Sequence, residues 1–211
     1  MTPTVWNQLW KWVLLCVLAM CAPLAWAKNN QYGTLAYHDV VDEAGSIYHQ
    51  VKTSEQNPKS DILKAYYPQT ISKKTLISHF NWLKSNGYNV VSWQDILDSQ
   101  TGKKTLPDKA VLLTFDDGYE SFYRIVYPLL KEYNYPAVFA VVTSLLDQAP
   151  NSMVVFGDTR IARGAFVTWP QIKEMSDSGL VEIASHTHNM HRAIKANPGG
   201  SAYPAVFSAQ Y

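Results

Sequence analysis

The segment Ala110-Val111-Leu112-Leu113-Thr114-Phe115, cut off at once by Asp116-Asp117-Gly118, constrains this chain more than any other. An apolar run without polar alternation is the pattern of a strand buried on both faces, and such strands belong to parallel sheets. The flanking segments agree. Thr34-Leu35-Ala36-Tyr37 is a short strand-like run that stops at His38-Asp39, and Ala137 to Val142 is a second buried run. Between the runs lie helical patterns. Ser72 caps a helix expected over residues 73–86, with Leu76, Phe80 and Leu83 on one face and Gly87 at its stop. Tyr88-Asn89-Val90-Val91 is a strand, and Ser92-Trp93-Gln94-Asp95 opens a short helix. Phe122, Val126, Leu129 and Leu130 mark a helix ending near Tyr133. Thr168-Trp169-Pro170-Gln171 is a capping box with proline in the first turn of a helix that runs to Gly179, and Leu180 to Ala184 is one more strand. Strands alternating with helices predict an α/β fold with right-handed β-α-β units and a parallel sheet, closed or open. The stretch from Asp42 to Gln69 has no period, and its length predicts a functional or mobile loop rather than a compact connector.

The first 27 residues are expected to be a signal peptide. Lys11 precedes an apolar run from Trp12 to Met20, which ends near Pro23 and Ala25-Trp26-Ala27. That run is shorter than the roughly 20 residues of a membrane span. Cleavage is expected after Ala27, which leaves residues 28–211 as one domain; an uncleaved anchor and lipidation at Cys21 are the alternatives. The protein is thus expected to be exported, to the periplasm or outer membrane or beyond. Both cysteines, Cys16 and Cys21, fall in the leader, so no disulfide framework is available to the remainder. A net charge of +1, with no basic block, argues against nucleic acid as a partner and is compatible with a neutral substrate.

Two clusters follow strands directly: the pair Asp116-Asp117, and His186, His188 and His191. In a parallel β/α architecture both lie at the C-terminal edge of the sheet, where active sites of such folds sit. Carboxylate and imidazole together are zinc-type ligands, and a catalytic site needs three protein ligands with one position open. One aspartate and two histidines supply that set, which leaves the other aspartate free as a general base. Spacing alone does not choose among the histidines. His186 and His188 share a face if the strand continues, whereas His186 and His191 reach one ion only where the segment between them leaves regular structure. An acidic pair could also serve a phosphohydrolase, but the histidines would then be idle.

Thr114-Phe115-Asp116-Asp117-Gly118, followed by Ser185-His186-Thr187 and a later histidine, resembles the polysaccharide deacetylase family, also called the NodB-homology or carbohydrate esterase family four domain. The resemblance implies a (β/α) barrel, with Asp116 as catalytic base and Asp117, His186 and His191 as ligands of one divalent metal ion. Zinc is the default, and nickel, cobalt or iron also suit the donors. The common family motif spaces its histidines four apart, and here His186 and His191 are five apart. That spacing is similar to the poly-β-1,6-N-acetylglucosamine N-deacetylases of biofilm export systems. So are Ala36-Tyr37-His38-Asp39-Val40, Phe166-Val167-Thr168-Trp169 and Asn197-Pro198-Gly199-Gly200. The resemblance therefore implies hydrolysis of N-acetyl groups on an N-acetylglucosamine polysaccharide, with release of acetate and with export machinery at the outer membrane as a partner. Peptidoglycan and chitin are alternative substrates, and a metal-retaining carbohydrate-binding remnant is the alternative to an enzyme. His38 and Asp39 are expected to line the substrate cleft, and His188 is left without a role. The family's later motifs, its general-acid histidine among them, have no counterpart before Tyr211, so the barrel is expected to be incomplete at its C-terminus.

Overall fold

The computed structural model describes residues 30–42, 69–157, 159–195, 198–200 and 202–204. The expected signal peptide and nearly all of the aperiodic stretch before Gln69 lie outside them. Among the described residues no helix is long and apolar enough to cross a membrane.

In chain order the strands and helices are β1 (Tyr32–Tyr37), β2 (Val40–Val41), β3 (Ile71–Ser72), α1 (Lys73–Ser85), β4 (Asn89–Val90), α2 (Trp93–Gln100) and β5 (Ala110–Phe115). Then come α3 (Tyr127–Tyr133), β6 (Ala137–Val142), α4 (Thr143–Leu146), β7 (Met153–Phe156), β8 (Thr159–Ala162), α5 (Trp169–Asp177), β9 (Val181–Thr187), β10 (Ala193–Lys195) and β11 (Ala202–Pro204). The expected alternation is present, and the main sheet is wholly parallel. β5 lies at its centre, paired with β1 from Tyr32↔Ala110 to Tyr37↔Phe115. Its other side is shared: β4 pairs at Ala110 and Val111, and β6 pairs at Thr114 and Phe115. β9 lies beyond β6. β7 and β8 form an antiparallel hairpin outside this sheet.

Helices α1, α2 and α5 begin where a side chain satisfies a free amide. Ser72 Oγ accepts from Thr75 N at 3.0 Å, and Ser92 with Asp95, like Thr168 with Gln171, forms a reciprocal box. One helix differs from expectation. Residues Phe122–Val126 form a π turn, closed by Tyr127 N donating to Phe122 O, before α3 takes over. Pro128, in the first turn of α3, has no N–H for the ladder, so the change of pitch occurs where one donor is missing anyway.

Phe80, Phe115, Phe122 and Phe139 are fully buried and fill the core. Phe122 stacks on Phe139 at 4.0 Å between centroids and meets Phe115 edge-on at 5.0 Å. The π turn thus packs against the two central strands, directly behind the acidic turn. Each such ring contributes roughly 1.5–3 kcal/mol through burial.

Candidate metal centre

β5 carries the chain to the acidic pair. Asp116 N donates to Tyr37 O at 2.9 Å, extending the β1 ladder by one residue. The backbone then reverses through two left-handed residues, Asp117 with φ +77° and Gly118 with φ +88°. A short polar side chain tolerates this conformation better than most, yet it still costs on the order of 1 kcal/mol or more. At Gly118 it is φ that calls for glycine, since an added Cβ would meet Val141 only at 3.4 Å. Val167 N holds the turn by donating to Gly118 O at 2.9 Å, and Tyr119 pairs with Phe166 beside it.

The turn aims Asp117 inward, 1% exposed, at two imidazoles. Its Oδ1 lies 3.4 Å from His186 Nε2 and 3.1 Å from His191 Nε2. The three ligand atoms of Asp117, His186 and His191 all lie within 4.8 Å of one another. A register shift brings the histidines together. Ser185 pairs with Val141 and Thr187 with Val142, so His186 is an extra residue bulged out of β9. After Thr187 the strand ends, and the bend that follows returns His191 to the same point. This is the departure from regular structure that a shared ion requires. His191 is seated from behind: its ring stacks on Phe156 at 4.2 Å and 10°, and its carbonyl accepts from Gly157 N at 3.0 Å.

The donor set fits a divalent cation. Both Asp117 oxygens are buried, and neither accepts a hydrogen bond of acceptable geometry from any described residue. The 3.1 Å contact with His191 is close but not aligned. A buried carboxylate left this way is costly, and a cation shared with two neutral imidazoles removes the cost. Burial pulls the His191 pKa down, but the Asp117 carboxylate, with Asp116 behind it, more than offsets this and holds it above the ordinary imidazole value.

Asp116 is half-buried beside this triad and outside it. Burial raises its carboxyl above the ordinary range and Asp117 raises it further, against the pull of His186, His38 and His191. A carboxylate of raised pKa is a stronger base, as proton abstraction at neutral pH needs. His38 is therefore close enough to act on Asp116 electrostatically. Asp39 departs from the cleft wall expected for it. It is 5% exposed, its Oδ1 accepts from Ser121 Oγ at 2.7 Å, and burial raises its pKa. Among the described residues His188 joins no ligand set, and its Nδ1 is 2.8 Å from Thr143 Oγ1.

The model of the polysaccharide deacetylase family matches residues 103–203, a span that holds the acidic pair and all three histidines. A poly-β-1,6-N-acetyl-D-glucosamine N-deacetylase of Escherichia coli K12 is 40% identical over 184 residues, which are 87% of this chain and 24% of that protein. The chain carries a polysaccharide deacetylase domain. Among solved structures, a de-N-acetylase from Aggregatibacter actinomycetemcomitans is 54% identical, with a TM-score of 0.70, over 84% of this chain and 62% of that one. The BpsB deacetylase domain from Bordetella bronchiseptica is 36% identical with a TM-score of 0.65, over 87% of this chain and 65% of that one. The chain thus spans about a quarter of the length of the curated E. coli relative.

Within this deacetylase domain, one supporting residue escapes sequence reasoning. Arg163 is 5% exposed and donates to three main-chain carbonyls, Phe166 O and Val167 O at 2.9 Å and Leu146 O at 3.0 Å. It ties the segment that holds Gly118 to the end of α4. No periodicity or motif marks it. Phe156, which packs with Phe166 and Tyr119 beneath His191, was equally hidden.

Proposed function

We propose that this deacetylase domain hydrolyses N-acetyl groups of a β-1,6-linked N-acetylglucosamine polymer, releasing acetate and leaving free amines. The observation that carries the reading is the buried Asp117 facing His186 and His191, with Asp116 adjacent and outside the set. A divalent ion held by these three residues would supply Lewis acidity, with zinc as the expected ion and nickel, cobalt or iron compatible. Asp116, adjacent to the set and outside it, takes a proton from the attacking water. Asp117 is kept from that role by burial and by its two imidazole neighbours. The choice of polymer rests on the five-residue histidine spacing and on the 40% identity to the E. coli enzyme. We further take the parallel sheet as part of a (β/α) barrel, residues 28–211 as one deacetylase domain, and residues 1–27 as a signal that exports it.

The test is release of free amine from β-1,6-linked N-acetylglucosamine oligomers by the zinc-loaded gene product. Chelator and Asp116→Asn should each abolish release. A folded protein that holds one metal equivalent yet frees no amine would contradict the reading and favour carbohydrate binding without turnover.

A further inference from the structure

Where β1 ends, Tyr37, Asp39 and Val40 are buried, and His38 alone of this run is partly open. The sheet register decides what stands beside it. β1 and β5 pair up to Tyr37↔Phe115, and Asp116 N still donates to Tyr37 O at 2.9 Å. The next rung therefore sets His38 against Asp116, with the two backbones about 5 Å apart.

Both neighbours of His38 are fixed. The Tyr37 ring stacks on Phe115 at 5.1 Å, and its hydroxyl lies 3.2 Å from His79 Nδ1. On the other side, Ser121 Oγ donates to Asp39 Oδ1 at 2.7 Å, and the same hydroxyl accepts from Val40 N at 3.4 Å. Ser121 is itself buried and stands immediately before the π turn, whose Phe122 packs on Phe115 and Phe139. The hydroxyl thus ties the segment that carries His38 to the turn that carries Asp116. A second tie, Arg124 to Asp42 at 2.6 Å, joins the same two segments, but it is exposed and worth little.

A buried carboxyl is a poor way to add stability. Desolvation works against the charge of Asp39, and Asp117 adds to the penalty. An apolar pair of the same shape would serve folding as well. A hydroxyl that donates to a carboxyl and accepts from the next amide admits one arrangement, which apolar contact does not.

We propose that Asp39 and Ser121 are positioning residues that hold His38 against Asp116, and so govern the rate of deacetylation without touching substrate or metal. The proposal rests on the reading of the domain as a deacetylase with Asp116 as its base.

Amine release by the full-length, zinc-loaded gene product tests it, with zinc affinity measured alongside. Ser121→Ala should lower kcat roughly 5- to 30-fold and leave KM and zinc affinity within about 2-fold of the parent. Asp39→Asn, whose amide oxygen accepts the same bond, should retain most of kcat, whereas Asp39→Ala should behave as Ser121→Ala does and replaces it if that variant does not fold. In a His38→Ala background, Ser121→Ala should change kcat by less than about 2-fold, because the group it positions is gone. A kcat that neither alanine variant alters, a parallel loss of zinc affinity, or a full further loss in the His38→Ala background overturns the positioning role and leaves the deacetylase reading standing. Histidine-ring spectra of the isotope-labelled, metal-free protein read the geometry without turnover. Ser121→Ala should move the His38 resonances and not those of His188, and equal movement of both overturns the proposal. A parent protein that frees no amine overturns the functional reading, and the spectra then decide the placement of His38 by themselves.

Discussion

The aromatic core behind β5 and the candidate metal centre at its end are two residues apart in sequence and opposite in physical character. Phe115 is fully buried among Tyr37 and Phe122, with ring contacts at 5.1 and 5.0 Å. Asp117, two residues on, is as deeply buried, yet its carboxylate accepts no hydrogen bond of good geometry from any described residue and its φ is +77°. The same strand therefore delivers packing energy and then a strained backbone whose buried carboxylate faces two imidazoles. Strain of this kind persists only where its surroundings over-determine it, and Val167, Phe166 and Arg163 provide those surroundings.

Substitutions on either side should separate the two regions. Phe122→Ala should cost roughly 3–5 kcal/mol in chemical denaturation of the metal-free protein, since it opens a cavity against Phe139 and Phe115. Asp117→Asn should behave differently in the same experiment, changing metal-free stability by no more than about 1 kcal/mol, since the amide keeps the side chain's volume and tolerates the left-handed backbone, while metal binding is lost. If Asp117→Asn destabilises the metal-free protein as Phe122→Ala does, the contrast between the regions fails. Gly118→Ala should cost about 1–2 kcal/mol through φ alone, with a matching loss of metal affinity. Ser92→Ala, which removes the α2 cap far from the site, should cost about 1 kcal/mol and leave metal affinity untouched.

The smallest effect is one of pH. Burial raises the Asp39 pKa in the folded state, so its contribution favours folding below the unfolded pKa and is lost as pH rises through the folded one. Stability of the metal-free protein should therefore decline with rising pH across the weakly acidic range, and Asp39→Asn should make that decline shallower in pH-dependent melts.

What the sequence disclosed divides along the same line. The run Ala110–Phe115, the caps at Ser72, Ser92 and Thr168, and the stop at Gly87 are local signals, and the structure has each where it was expected. The barrel is a different case, since the parallel sheet neither establishes nor excludes closure. The hairpin β7–β8 was not foreseen, because Met153-Val154-Val155-Phe156 is apolar throughout and its in-out alternation shows only in burial. The bulge at His186 arises from pairing with β6, which no single segment encodes. Asp39 looked like part of the open edge of the sheet, but Ser121, far along the chain, draws it inside. Residues that hold the site through tertiary hydrogen bonds, Arg163 above all, leave no periodic trace.

Metal stoichiometry across single variants tests the central claim most directly. The account predicts one zinc per chain for the parent protein and for His188→Ala, and none retained at micromolar zinc by Asp117→Asn, His186→Ala or His191→Ala. Retention of a full equivalent by His191→Ala, or its loss in a folded His188→Ala protein, would contradict the assignment of the metal centre to Asp117, His186 and His191.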